Sequence, residues 1–270
     1  MIHPAGGSVA FDRAAGYYDE TRGLPPAVAE RVADRIEAAA GPAARLLEIG
    51  VGTGRVALPL HRRGRQLLGV DLSGPMLQRY RAKAAALGLR PPPLLRADAT
   101  RLPLRDASVD AVLEVHVLHL IPTWRAALAE VRRVLAPGGL VLIGRGGHRE
   151  ADGPRNQTLR RFERLAQEAG GSPPRLGAVD VPSRVAELVA LGGTAEVLEP
   201  VVWEGHDSYA RALELVERRS FSYMWRLPDE VWRAASNRLR AELEAAYPDL
   251  DAPRPARHAF TLTAVRFPAG

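Results

Sequence analysis

Residues 46–60 read LLEIGVGTGRVALPL, and the fold turns on this stretch. Apolar residues run up to Ile49 with Glu48 set among them, glycines follow at 50, 52 and 54, and then a helical pattern begins. A strand that runs into glycines and then into a helix presents unbonded backbone N–H groups, and the missing Cβ atoms let a ligand come close. A dinucleotide loop needs G-x-G-x-x-G, with the third glycine packing helix on strand. Here the third glycine comes at 54, and position 55 is Arg. The lysine of a P-loop is missing too, so the loop fits a pyrophosphate cradle poorly.

Working outward, a strand-then-helix rhythm repeats. Residues 25–40 begin with two prolines and place Val28, Val32 and Ile36 on one helical face. A strand is expected over 44–49 and a helix from the glycine loop to about 63. Further strands are expected at 66–70 (ending at Asp71), 94–97, 109–115 and 140–144. Helices are expected at 75–87 and 124–135, the latter closed by Ala136-Pro137-Gly138-Gly139. These strands are continuously apolar rather than alternating, which argues for a parallel sheet covered on both faces. Such a sheet binds ligands at the carboxyl ends of its strands.

Beyond Gly144 the rhythm changes. A loop is expected over 144–157, a linker over 170–183, helices at 158–167, 183–190, 208–219 and 228–246, and strands at 194–203 and 258–267. The expected fold class is α/β, a doubly wound, mostly parallel seven-stranded sheet forming one structural domain. Residues 1–41 would supply N-terminal helices, 42–146 the ligand-binding core, and 147–270 the rest of the sheet with helical insertions acting as a lid. There is no internal repeat.

The 270 residues carry 37 basic and 31 acidic side chains, a formal charge of +6. Lys83 is the sole lysine, so the excess is arginine, and it is scattered among Glu and Asp as in residues 30–38. A nucleic-acid binder concentrates its basic residues on one face, and this pattern reads instead as a solvated mixed surface. There is no Cys, hence no disulfide framework, thiolate metal site or cysteine nucleophile. No apolar run is long enough to cross a bilayer and the first twenty residues lack a secretory pattern, so a cytoplasmic location is expected.

Glu48-Ile49-Gly50-Val51-Gly52-Thr53-Gly54 resembles the first motif of class I S-adenosylmethionine (SAM) methyltransferases, and the resemblance continues in order. Gly69-Val70-Asp71-Leu72-Ser73 with Met76-Leu77 is similar to the second-strand motif, Ala97-Asp98-Ala99 with Leu102-Pro103 to the third, and Asp110-Ala111-Val112-Leu113 with His116-Val117-Leu118-His119 to the fourth. Arg133-Val134-Leu135-Ala136-Pro137-Gly138-Gly139 resembles the turn before strand five. Phe11-Asp12-Arg13 with Tyr17-Tyr18-Asp19 resembles the lead-in of the ubiquinone-biosynthesis-like, type 11 small-molecule branch. The match covers roughly residues 10–145.

The resemblance implies a Rossmann-like methyltransferase fold, with SAM as cofactor and S-adenosylhomocysteine as its product. It places the methionine portion over Gly50, Gly52 and Gly54, the two ribose hydroxyls on Asp71, and the adenine between Leu72 and Met76 with its amino group near Asp98 and Ala99. Val115 would line the same edge. Asp71 could instead cap the following helix, and Asp98 could be a turn carboxylate. Glu48, buried in a strand, needs a partner, which the glycine-loop N–H groups or the ligand's ammonium would provide. Tyr18 and Arg22 would close over the methionine carboxylate, although Arg22 could equally be solvated.

The implied reaction is methyl transfer to O, N or C of a small-molecule acceptor, achieved by in-line orientation. His116 is the first candidate for a base or substrate-orienting donor and His148 the second; His119 is expected to be a packed residue. No third ligand supports a metal at His-x-x-His, so none is expected. Trp203, His206, Tyr209, Phe221, Tyr223, Trp225 and Trp232 are expected to be core, with residues 221–225 the best segment to wall an apolar acceptor pocket. Rival readings are an RNA methyltransferase, a nicotinamide oxidoreductase and a SAM-binding protein without catalysis.

Overall fold

The computed structural model describes residues 7–148, 153–172, 176–178 and 180–269. In chain order its elements are α1 (Tyr18–Arg22), α2 (Pro26–Ala40), β1 (Leu46–Ile49), α3 (Ala57–Arg62), β2 (Leu67–Asp71), α4 (Gly74–Ala86), β3 (Leu94–Arg96), β4 (Val109–Val115), α5 (Trp124–Val134), β5 (Leu135–His148), α6 (Pro154–Glu168), α7 (Val181–Ala190), β6 (Thr194–Val197), β7 (Val201–Asp207), α8 (Tyr209–Glu217), α9 (Asp229–Ala246) and β8 (Arg254–Arg266). They form two compact units. One comprises Met1–Arg145, Leu176–Val201 and Phe260–Gly270; the other comprises Gly146–Arg175 and Val202–Ala259.

The sheet runs β3-β2-β1-β4-β5-β8-β6, with β7 also paired to β8. The pairs β1–β2, β2–β3, β1–β4 and β4–β5 are parallel, and β6–β8 is antiparallel. The strand order reverses between β1 and β4, which opens a crevice at their carboxyl ends. All four residues of β1 are buried, as a strand covered on both faces requires. In α5, Trp124, Ala127, Leu128, Val131 and Val134 are buried at helical spacing and face a core that includes Leu47, Ile49, Val112, Val141 and Ile143.

Among the described residues the sheet has eight strands, not seven. The single strand expected over 194–203 is two, β6 and β7, separated by Leu198-Glu199-Pro200. Pro200 has no N–H to give a ladder, and just before it the Leu198 N–H donates to the Leu262 carbonyl at 2.9 Å. β5 begins at Leu135 rather than 140. The residues read as a turn are an irregularity within the pairing, where Val109 faces Leu135 but Ala111 already faces Leu140. The loop expected from Gly144 is strand as far as His148, and α6 starts at Pro154, whose fixed φ suits a first helical turn.

In the second unit α6, α8 and α9 pack around Phe162, Leu165, Tyr209, Leu213, Val216, Met224, Leu239 and Leu243. Phe221, Tyr223 and Trp232 lie against this cluster. The indole N–H of Trp225 donates to the Arg219 carbonyl at 2.6 Å and that of Trp232 to the Val216 carbonyl at 3.2 Å. Tyr209 and Tyr247 stack with centroids 3.8 Å apart, and Gln157 accepts from both hydroxyls at 2.7 and 3.2 Å. Tyr209, Met224 and Trp225 are buried core, while His206 is exposed on β7.

Leu113 on β4 is fully buried between β1 and β5. Leu113→Ala should lower unfolding free energy by about 2–5 kcal/mol, the range for a leucine deleted from a close-packed core. Urea denaturation of wild type and variant measures it.

Candidate functional site

The three glycines after β1 take positive φ, +67° at Gly50, +56° at Gly52 and +75° at Gly54. At two of them space is decisive as well. A Cβ on Gly50 would stand 2.5 Å from a Val117 methyl, and a Cβ on Gly54 would stand 2.6 Å from the Tyr80 ring. The loop is therefore pinned between the turn after β4 and helix α4. Asp71 braces it from β2: one carboxylate oxygen accepts the Gly52 N–H and the other the Ser73 N–H, both at 2.8 Å. The cap of α4 is Ser73, whose hydroxyl accepts from Met76 N–H at 3.3 Å, so Asp71 is not the helix cap. Burial pushes the Asp71 carboxyl up, the Ser73 and Gly52 N–H groups pull it down, and Asp12 raises it; the sum is upward.

Glu48 is 3% exposed, and its Oε2 has no hydrogen-bond partner. Burial raises its pKa to about 8, against the pull of Arg55 and with a push from Asp71. Tyr80, fully buried beneath Gly54, likewise has a hydroxyl without a partner, and burial together with the Glu48 charge drives its pKa up. Polar atoms buried this way without partners are costly.

Residues 8–22 are stapled along the same edge. Asp19 accepts from the Thr53 hydroxyl at 2.6 Å and from Lys83 at 3.1 Å. Asp12 accepts from the Ser73 hydroxyl at 2.6 Å, and Arg79 donates to the Ala15 and Gly16 carbonyls at 2.9 and 2.6 Å. Ser8 donates to Asp98 at 3.3 Å, and Arg55 to the Arg22 carbonyl at 2.8 Å. The other oxygen of Asp98 accepts from the Thr100 N–H and hydroxyl, both at 2.9 Å, bracing the turn just after β3. Tyr18 is half-buried with its ring edge-on to Phe11.

Met76 is buried with its terminal methyl near Gly52; Ala99 and Val115 are buried, and Leu72 is half-buried. Glu48, the glycine loop, Asp71 and Met76 are thus gathered at one end of the sheet. His116 directly follows β4 and is half-buried with φ +55°, an uncommon conformation for a side-chain-bearing residue. His119 sits beside Arg184 and Arg22, and burial plus those two positive charges lower its pKa to about 4, which leaves it neutral at pH 7. The side chain of His148 lies outside the described residues. Among the described residues no group of His, Asp and Glu is placed to hold a metal, and no helix is long and apolar enough to cross a membrane.

Asp19 and Thr53 were read from the sequence only as members of quoted motifs, and Tyr80, Glu114 and Arg184 were not read from it at all. Glu114 carried a signal, since it interrupts the apolar run of β4 as Glu48 interrupts β1. The others are ordinary surface-type residues in sequence, and only their packing distinguishes them.

The profile of a family described as "Methyltransferase domain" matches residues 47–143. Over 140 residues the chain is 37% identical to the malonyl acyl-carrier-protein O-methyltransferase of Halorhodospira halophila, covering 51% of this chain and 47% of that protein. Over 101 residues it is 41% identical to the demethylmenaquinone methyltransferase of Thermus thermophilus, covering 37% of this chain and 46% of that one. The chain spans about half the length of the curated relatives it matches. Phosphoethanolamine N-methyltransferase 2 of Haemonchus contortus, solved with phosphomonomethylethanolamine and S-adenosylhomocysteine, aligns with a TM-score of 0.54 at 18% identity, over 96% of this chain and 58% of that one. That likeness shows the fold.

The Glu48 carboxyl makes stability depend on pH. In the unfolded chain it ionises near about pH 4.3, whereas the folded protein holds its proton up to about pH 8. Between these values the folded state carries the extra proton, so stability should fall as pH rises, by up to ~1.4 kcal/mol per unit. Glu48→Gln removes that slope. Its melting temperature should exceed that of wild type by a margin that is small at pH 5 and widens toward pH 8, measured by thermal scans of the ligand-free protein.

Proposed function

We propose that this chain, whose residues 47–143 are a methyltransferase domain, transfers the methyl group of S-adenosylmethionine to O, N or C of a small-molecule acceptor. The observation that carries the reading is the pair of carboxyl groups at the glycine loop. Asp71 is held on the Gly52 N–H of the glycine loop, and Glu48, buried on β1 just before that loop, keeps a carboxyl oxygen without a partner. These carboxyl groups offer a phosphate-bridged nucleotide no counter-charge, whereas a diol and an ammonium find acceptors in them.

When bound, the sulfonium cofactor supplies an already activated methyl group, and its thioether leaves without a proton. The protein's own task is then to bind and orient. Asp71 uses one lone pair of each oxygen on backbone N–H groups, and the remaining lone pairs can accept two ribose hydroxyls. Gly50, Gly52 and Gly54 admit the methionine portion close to the backbone, and Glu48 accepts from its ammonium. Leu72, Met76 and Ala99 supply apolar surface for the adenine, with the free capacity of Asp98 for its amino group and Val115 behind. Tyr18 and Arg22 close on the carboxylate. Holding donor and acceptor in line can supply ~7–11 kcal/mol of the barrier reduction. Where the acceptor must lose a proton, His116 takes it or orients it, with His148 as the second candidate. The names of the relatives attach this kind of domain to a malonyl acyl-carrier protein and to a demethylmenaquinone, so acceptor choice is assigned here to residues outside 47–143.

Isothermal calorimetry tests the cofactor site. Asp71→Ala should weaken SAM binding at least tenfold, since it removes two hydrogen bonds to a charged acceptor, each worth about 1 kcal/mol or more. An unchanged affinity takes Asp71 out of the site. In a thermal-shift comparison SAM at a hundred times its dissociation constant should stabilise the protein by ~2.7 kcal/mol, and NADH should not. A shift with NADH alone would replace this reading with an oxidoreductase.

A further inference from the structure

Glu114 and Arg184 form an ion pair between β4 and α7, seventy residues apart in sequence, with Nη1 of Arg184 3.0 and 2.8 Å from the two carboxylate oxygens. Their side chains are 1% and 5% exposed. Burying both charges is a poor route to stability, because an apolar pair of similar volume commonly does as well or better. What the pair touches supplies another reason for it. Oε1 of Glu114 also faces the N–H groups of Val117 and Leu118, at 3.3 and 3.4 Å. Those groups belong to the turn that begins at His116, whose φ of +55° persists only if the surroundings enforce it.

The same turn is fastened from other sides. The Gly177 N–H, just before α7, donates to the His119 carbonyl at 3.2 Å, and a Cβ at Gly177 would collide with the carbonyl oxygens of Leu118 and Ile121. Val9 of the N-terminal segment donates to the Leu120 carbonyl at 3.0 Å. The turn in its place puts the Val117 methyls against Gly50. A continuous line of contacts therefore joins Arg184 to Glu114, to the turn, and to the first glycine of the loop.

We infer that Arg184, acting through Glu114, is a positioning residue: it fixes the His116–Leu120 turn on the glycine loop and so sets both the loop's ligand-binding shape and the aim of His116. Neither charged side chain need touch the ligand. The part concerning ligand affinity rests on the methyl-transfer reading; the part concerning the turn does not.

The test uses the full chain, its Arg184→Gln and Arg184→Lys variants, and S-adenosylhomocysteine as the probe. In Arg184→Gln that still melts cooperatively, S-adenosylhomocysteine should bind at least fivefold more weakly by calorimetry. Arg184→Lys, which keeps the charge, should return to within about twofold of wild type. In the free proteins, NMR of the His116 ring and the Val117 methyls should show both shifted in Arg184→Gln and restored in Arg184→Lys. Should Arg184→Gln fail to fold, the double variant Glu114→Gln with Arg184→Gln, which strands no buried charge, is read in its place. Wild-type affinity together with unmoved His116 and Val117 signals overturns the proposal. If wild type itself does not bind the probe, the methyl-transfer reading fails, and the NMR signals still decide whether Arg184 positions the turn.

Discussion

Gly50 has no room for a side chain, because the Val117 methyls already occupy the place where a Cβ would go. This contact ties the loop after β1 to the turn after β4, the two strands between which the sheet order reverses. The crevice at that reversal depends on it. Were the loop displaced, Asp71 would lose the Gly52 N–H that it shares with no other acceptor described, and Glu48 would lie beneath a different surface.

The polar groups around this contact are treated in three ways. Asp71 accepts from the Ser73 N–H of its own turn and from the Gly52 N–H of the loop after β1, and Asp98 from the N–H and hydroxyl of Thr100. Glu114 is paired outright with Arg184. Glu48 and Tyr80 keep buried atoms without partners. A protein that left such groups unsatisfied without return would merely be less stable, since each costs on the order of 1–3 kcal/mol. On the proposed methyl-transfer reading, Glu48 is the one of these with a ligand group to gain.

The parallel half of the sheet was legible because continuous apolar runs such as LLEI and VDAVLEV bury both faces of a strand, and the three glycines stand where such a strand must turn. The antiparallel half was less so. The run at 194–207 gives no local sign of two strands beyond Pro200, and the Pro-Gly-Gly before strand five reads as a turn although its flanks pair with β4 in one ladder. The aromatic residues of 203–232 fit either a pocket wall or a core by composition. Packing around Phe162 and Met224, with both indole N–H groups satisfied by nearby carbonyls, makes Trp225 and Trp232 structural.

By itself the sequence determined the succession of strands and helices from β1 to α5, the bare loop and the acid that ends β2, because these follow from local periodicity, from glycine's missing side chain and from short spacings along one strand–turn–helix unit. Tertiary structure alone decided that Asp19 reaches Thr53 and Lys83, and that Arg184 holds Glu114. These are contacts between segments distant in the chain. Their geometry is set by how helices settle on the sheet, which no window of neighbouring residues encodes.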